Sequence, residues 1–112
     1  MPNKPTVLNV RIKKKRVAAQ DNQGQGNFEI IIEGNDFPAS PSVSLLNTTP
    51  VAGSKEPSQN SNIVVAVDSA TATEINGNAD LNEPLVVKAK AYTTTIKIDN
   101  EPGQAVDVEV ID

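Results

Sequence analysis

The chain has 112 residues, enough for one domain, and a net charge of −4, and it contains no histidine, cysteine or tryptophan. These absences exclude disulfides, thiolate nucleophiles, imidazole bases and the nitrogen and sulfur ligands that transition metals prefer. Aromatic residues make up 3% of the chain, so its core has to be built from aliphatic side chains. We therefore expect a single domain over residues 1–112 that is not an enzyme and binds no cofactor.

Residues 1–5 form a short lead-in to the first predicted strand. They do not show the charged and apolar regions of a secretory signal. No apolar run in the chain approaches the about 20 residues that are needed to span a bilayer. We expect the protein to be made and assembled in the cytoplasm, without a membrane partner.

The first predicted strand carries a basic cluster, which consists of Arg11, Lys13, Lys14, Lys15 and Arg16. These five residues are half of the ten basic residues, and the rest of the chain has a net charge of −9. A basic patch near the start therefore accompanies an acidic body. Residues 15–21 are the only stretch in which we expect a helical turn.

Apolar and polar residues alternate along most of the chain, which is the pattern of strands with one buried face. No stretch shows an apolar stripe of helical period over the length of a helix. The sets predicted to face inward are Leu8, Val10 and Ile12; Phe28, Ile30 and Ile32; Val43 and Leu45; Ile63, Val65 and Val67; Leu85, Val87, Ala89 and Ala91; Thr94, Ile96 and Ile98; and Val106, Val108 and Val110.

Turn-forming residues separate these sets. They lie at residues 23–27, 38–41, 49–61, 76–77 and 101–104, of which residues 49–61 form a long polar loop. Asn76-Gly77 is a dipeptide that favours a two-residue hairpin turn. Asn47-Thr48-Thr49 fits the pattern for N-glycosylation, but without an export signal we interpret it as a polar turn.

Short strands with regular turns predict an all-β fold, a single antiparallel sandwich of about seven strands. A small barrel is the alternative. In a sandwich of this kind the first strand often lies beside the last. That neighbourhood would place Arg11 and Lys13 on one outer face with Asp107 and Glu109, where cross-strand ion pairs can form.

The segment IIIEGNDF at residues 30–37 resembles a motif of the IPT/TIG family of Ig-like domains. The family pattern is a strand and turn, Ile-Thr-Ile-x-Gly-x-x-Phe, and this chain has Ile30, Ile32, Gly34 and Phe37 at the same spacing. Val43 follows in the next strand, as in the family. The resemblance covers residues 5–68, and the remainder matches only in its number of strands. It implies that Gly34 allows a tight turn and that Phe37 plugs one end of an Ig-like sandwich.

The basic cluster has three interpretations. It is the solvated outer face of the first strand, paired with carboxylates of the last strand. Alternatively, it contacts a partner protein, or it binds the phosphates of a nucleic acid. The acidic body, and the lack of aromatic residues between the lysines, argue against nucleic acid.

A second polar segment alternates in the manner of a calcium-binding loop. Asn76, Asn78, Asp80 and Asn82 place oxygen atoms at every second position, as calcium ligands are placed. The charge of this set is low, and the glycine does not stand where a calcium loop requires it. We therefore predict that residues 76–83 are a polar hairpin loop and that the chain has no metal site.

A free-standing Ig-like unit made in the cytoplasm resembles the small Ig-like proteins that decorate or cement the particles of tailed bacteriophages. The resemblance implies a structural protein of the virion, assembled in the host cytoplasm, that docks on capsid subunits or on copies of itself. Two alternatives stay open. One is a module that recognises carbohydrate through Tyr92, which the alternation places on an outer face. The other is a nucleic-acid-associated protein that uses the basic cluster.

Overall fold

The structure, a computed structural model, describes residues 4–22, 25–50, 62–82, 91–99 and 101–111. Within these ranges the regular elements are all strands, and no helix suited to crossing a membrane is found. The strands are β1 (Thr6–Asn22), β2 (Gln25–Asn35), β3 (Val43–Pro50), β4 (Asn62–Ala70), β5 (Glu74–Asn82), β6 (Ala91–Ile98) and β7 (Gln104–Ile111).

The seven strands close into a barrel in the order β1-β2-β5-β4-β3-β6-β7, and β7 pairs again with β1. Neighbouring strands are antiparallel except β1 and β7, whose parallel ladder starts at the pair Val10 and Val108. The all-β prediction is confirmed, but the strands form the closed barrel that was the alternative to the sandwich. Closure is feasible because β1 has 17 residues and hydrogen-bonds to β2 on one side and to β7 on the other.

The barrel interior is filled by side chains from all seven strands. Most of the predicted inward-facing residues are confirmed as buried: Val10, Ile12, Phe28, Ile30, Ile32, Val43, Leu45, Ile63, Val65, Thr94, Ile96, Ile98, Val108 and Val110. Val67 and Val106 are half-buried against this core. Leu85, Val87, Ala89 and the side chain of Ala91 lie outside the described part of the chain.

The alternation fails at the start of β1. Val7 and Val10 are both buried, whereas Leu8, which was predicted to face inward, is 65% exposed. The cause is a β-bulge, since Val7 pairs with Gly34 and Asn9 pairs with the preceding residue of β2, Glu33. Leu8 is the extra residue, and a one-residue insertion moves the following side chains to the opposite faces.

Two segments that were predicted to be irregular are strands. Residues 15–21, where a helical turn was expected, continue β1. Asn47-Thr48-Thr49, interpreted as a polar turn, lies in β3. The Thr48 side chain is buried, because it lies on the inner side of the barrel beside the buried Thr94.

Thr48 forms a buried hydrogen bond across the barrel wall. Its hydroxyl oxygen lies 2.8 Å from the hydroxyl oxygen of Thr94 on β6. The Thr94 hydroxyl donates to the backbone carbonyl of Leu46 at 3.1 Å. Because a threonine hydroxyl has a single proton, Thr48 is the donor in the bond between the two threonines.

The hairpin predicted at Asn76-Gly77 is wrong, and the dipeptide lies within β5, between β2 and β4. Gly77 is buried, and a Cβ atom there would come within 2.5 Å of the Ala66 carbonyl oxygen. The glycine therefore reflects the close approach of β4 and not a turn. The chain turns instead at residues 71–73, where the Thr71 N–H donates to the Glu74 carbonyl at 2.8 Å.

The prediction that Tyr92 faces outward is wrong, because its side chain is fully buried. The alternation of residues 85–91 and that of residues 94–98 differ in phase by one position. In β6, Tyr92 follows the second phase and points into the barrel on the same face as Thr94. The local pattern could not decide which of the two phases applies at Tyr92.

Gly34 and Phe37, two residues of the IPT/TIG motif, lie where β2 ends. Phe37 is buried, as the motif implies. A Cβ atom on Gly34 would overlap the backbone carbonyl of Thr6 and would come within 2.7 Å of the Phe37 ring. The left-handed residue of the turn is Asp36, with a φ of 61°. Gly34 is therefore required by the contact between β1 and β2, and not by the turn.

We expect Gly34→Ala to lower the free energy of unfolding by about 3 kcal/mol, because the added methyl group meets backbone atoms that cannot rotate away. Urea unfolding measures this difference. The matched control is Asn35→Ala at the exposed neighbouring position, for which we expect a change of about 0.5 kcal/mol or less. Equal losses in the two variants would contradict the steric role of Gly34.

We expect Thr94→Val to lower the free energy of unfolding by about 2 kcal/mol, because the Thr48 hydroxyl loses its acceptor in a buried site. The double variant Thr48→Val, Thr94→Val should be more stable than the sum of the single losses predicts, since it leaves no hydroxyl unpaired. A double-mutant cycle by urea unfolding measures the coupling. Strictly additive losses would rule out the paired arrangement.

Candidate interaction surfaces

The basic cluster lies on β1, and its described side chains point away from the core. Arg11 and Lys13 are half-buried on the outer face of the barrel. The side chains of the other three members, Lys14, Lys15 and Arg16, lie outside the described residues. The structure therefore locates two of the five predicted contact residues.

Both described cations of the cluster form ion pairs with β2. Arg11 pairs with Glu33, and the Lys13 Nζ atom lies 3.5 Å from a carboxylate oxygen of Glu29. The four side chains are 35–39% exposed. At this exposure each pair contributes at most about 1 kcal/mol, because solvent screens the charges.

The predicted ion pairs with the last strand are wrong. β7 lies beside β1 as expected, and Glu109 is opposite Arg11 in the parallel ladder. Nevertheless, neither Asp107 nor Glu109 forms an ion pair with any residue that the structure describes. The sequence could not decide between the neighbours, because β2 and β7 both present outward-facing carboxylates to β1.

The outer face of β2, β5 and β4 is a hydrogen-bonded polar surface, which we call the polar face. Asn27 donates to the side-chain oxygens of Asn78 and Asp80, both at 3.1 Å, and Asn78 donates to Asp68 at 3.1 Å. The prediction of a loop at residues 76–83 is wrong for residues 76–82, whose alternating oxygens follow from the period of a strand. No group of three acidic residues that could hold a metal occurs in the described ranges.

The outer face of β4, β3 and β6 has a different character, and we call it the weakly charged face. Its described residues are Asn62, Val64, Ala66, Ser44, Leu46, Thr93, Thr95 and Lys97. Along β4 this face borders Asp68 of the polar face. Val64 is 69% exposed and lies opposite Ser44, which in turn lies opposite Lys97. Lys97 is the one charged group in this set.

A side chain bridges β1 and β7 before their backbone ladder begins. The register of the ladder, extended backward, places Thr6 opposite Gln104. The Gln104 Oε1 atom accepts from the Val7 N–H at 3.0 Å, and its Nε2 donates to the Pro5 carbonyl at 2.8 Å. These are the two bonds to β1 that a backbone partner of Thr6 would make in a parallel ladder.

Between the Gln104 bridge and the ladder lies an open groove of about 430 Å³, which we call the seam. Its walls are residues 7–10 of β1 and residues 105–109 of β7. The bulge at Leu8 bends β1 at this point, as one-residue insertions do. The sequence analysis missed the seam, because the apparent alternation of Leu8, Val10 and Ile12 conceals the bulge.

All three aromatic residues of the chain, Phe28, Phe37 and Tyr92, are buried. No aromatic ring is therefore exposed for stacking on a sugar or on a nucleobase. The carbohydrate hypothesis depends on an exposed Tyr92 ring on which a sugar can stack, and the buried ring cannot take that role.

We expect the double variant Arg11→Gln, Lys13→Gln to change the free energy of unfolding by less than about 2 kcal/mol in total, because both ion pairs are partly exposed. Urea unfolding at low salt and at about 1 M salt measures the effect, which should shrink as the charges are screened. Glu29→Gln, Glu33→Gln is the matched control and should give a loss of similar size. A loss of several kcal/mol, or one that salt does not reduce, would contradict a surface role.

Comparison with known proteins finds no family model, no curated protein and no solved structure that matches this chain. The relation to IPT/TIG domains therefore stays a prediction that depends on the motif at residues 30–37.

Proposed function

We propose that the protein is a non-enzymatic structural module that docks on other protein subunits through the weakly charged face. The observation that carries this proposal is Val64, a large apolar side chain that is 69% exposed near the middle of that face. Its surroundings are small and uncharged, with Ser44 opposite and Ala66 two residues along β4. Leu46 and Ala66 lie beside Val64 on the same outer face, and contiguous apolar groups with few charges around them are typical of the core of a protein interface.

The distribution of charge over the barrel supports the same face. Arg11 and Lys13 are already paired with carboxylates of β2, and Asp68 and Asp80 accept hydrogen bonds on the polar face. Covering these groups with a partner would remove water from charges, which is costly. On the weakly charged face, Lys97 can keep its ammonium group in solvent while its aliphatic stem is covered.

The strand order supports an Ig-like identity for the barrel. An Ig constant-type sandwich has the first, second, fifth and fourth strands in one sheet and the third, sixth and seventh in the other. The order β1-β2-β5-β4-β3-β6-β7 keeps all of these neighbours. The two sets are joined by the β3·β4 ladder and by the parallel β1·β7 ladder. We interpret the barrel as an Ig-like sandwich whose two sheets are hydrogen-bonded to each other along both edges.

We further propose that the partner subunits belong to a virus particle, as they do for the Ig-like proteins that decorate or cement tailed-bacteriophage capsids. A capsid presents the same docking surface many times, so that many copies of one small module can bind to it. The motif at residues 30–37, which resembles that of Ig-like domains, supports this proposal.

We expect Val64→Glu to weaken docking by about 100-fold, because the interface would bury a carboxylate without a partner. The tagged chain is produced in its source, and light scattering after size-exclusion chromatography measures the mass of its complexes. The wild type should elute in an assembly much heavier than 11.9 kDa, and the variant should elute as a free chain.

The matched control is Ala72→Glu, which adds the same charge in the exposed turn between β4 and β5. It should dock as the wild type does. Since Val64 is exposed, both variants should also unfold at the urea concentration of the wild type. A wild-type chain that is monomeric in its source, or a Val64→Glu chain that still assembles, would overturn the proposal.

A further inference from the structure

We propose that the seam between β1 and β7 is a docking site for a short extended segment of a partner protein, one that combines small apolar residues with lysine or arginine. The seam lies apart from the weakly charged face, so this second contact goes beyond the proposed function. Four features of the seam support this contact: the backbone edge of β7, the length of the seam, the side chains along its walls and the charge at its rim.

The backbone of β7 presents an unpaired edge to the seam. Residues 104–107 pair with β6 on one side. In an antiparallel ladder, alternate residues direct their N–H and C=O groups toward the neighbouring strand, and the others direct them away. The described ladder to β1 begins only at Val108. The outward-directed groups of residues 105–107 therefore face the seam without a β1 partner, and such an edge is a template for an added strand.

The seam sets the length of its occupant. One end is closed by the Gln104 bridge and the other by the ladder that starts at Val10 and Val108. Three residues of β7, 105–107, lie between these ends. An extended segment of about three residues spans the same distance, about 10 Å. A longer strand would have to displace the Gln104 side chain.

The walls of the seam favour small apolar residues in the occupant. Leu8 is 65% exposed beside the seam, and no described residue covers it. Val106 is half-buried at the edge of the core, opposite Leu8 when the register of the ladder is extended. Because the barrel is already filled with aliphatic side chains, a residue that points inward over Val106 has to be small.

The charged side chains at the rim of the seam favour basic residues in the bound segment. Asp107 and Glu109 are both exposed and form no ion pair within the described part of the chain. The nearest described cations, Arg11 and Lys13, are paired with β2. A lysine or arginine on the outward side of the segment would meet these carboxylates, whereas an acidic segment would be repelled.

Three synthetic peptides test the proposal against the ¹⁵N-labelled full-length chain, with amide chemical shifts as the readout. The probe is acetyl-Lys-Val-Lys-amide, which has the length of the seam and places its small apolar residue between two outward lysines, and its counterpart has glutamate in place of lysine. A third peptide has the lysine sequence with N-methylated backbone amides. We expect the first to shift the amides of residues 105–107 and Leu8, and the second to bind at least about tenfold more weakly. The third should bind more weakly than the first, since N-methylated amides cannot donate hydrogen bonds to the carbonyl groups of β7 and can only accept them.

A charge exchange separates a docking role from a structural one. Asp107→Lys should lower the affinity for the lysine peptide by about tenfold and should raise the affinity for the glutamate peptide. The matched control is Asp68→Lys, an exposed position on the polar face, which should leave both affinities unchanged. An Asp107→Lys chain that keeps the wild-type preference would overturn the proposal.

Amide hydrogen exchange in the free protein supplies an independent test. We expect at least one amide among residues 105–107 to exchange rapidly, and the amides of Val108 and Val110 to be protected. Protection of all of them, or no shift with millimolar lysine peptide, would show that the seam is closed and would overturn the proposal.

The seam and the weakly charged face can be tested separately. Val64→Glu should keep the affinity for the lysine peptide. A wild-type chain that is monomeric in its source but binds the peptide would overturn the proposed function and leave the seam proposal standing. A chain that assembles but does not bind the peptide would overturn the seam proposal and leave the proposed function standing.

Discussion

The rest of the structure depends on the pairing of β1 with two neighbours at once. β1 hydrogen-bonds to β2 along its length, but it reaches β7 through only four residue pairs. The bulge at Leu8 bends the strand, and beyond it the Gln104 side chain replaces the missing backbone contact. The strand that closes the barrel therefore leaves incomplete its junction with β7, which is the one parallel pairing among the described strands. The bulge locally disrupts the strand in the same stretch of β1 that lacks backbone pairing with β7.

The character of the other outer surfaces depends on which charged and polar side chains the neighbouring strands bring together. Between β1 and β2, cations meet carboxylates, and on the polar face asparagine amides hold Asp68 and Asp80. The ion pairs compensate the charges between β1 and β2, whereas the carboxylates of the polar face accept hydrogen bonds and keep their charge. Among its described residues the weakly charged face carries one charged group, Lys97, and it exposes Val64. That face and the seam are the two surfaces that we propose as contact sites for partner proteins.

Local signals in the sequence failed where contacts between distant segments opposed them. Asn76-Gly77 is a strong turn signal, yet Gly77 lies within a strand because Ala66 of β4 approaches too closely for a side chain. The true turn at residues 71–73 contains no glycine, proline or asparagine and is held partly by β2, since the Gly34 N–H donates to the Thr73 carbonyl. For the candidate site, the basic cluster was found but assigned to the wrong carboxylates, and the seam was not foreseen.

The sequence by itself determined the all-β class, most of the buried aliphatic positions and the absence of histidine, cysteine and tryptophan chemistry. These properties are local, because the side chains of a strand alternate with a period of two whatever lies beside the strand. Only the tertiary structure decided the closure of the barrel, the burial of Tyr92, the choice of β2 as the ion-pair partner of β1, and the seam. Each of these depends on the register between segments that are far apart in the chain, and a one-residue bulge is enough to change it.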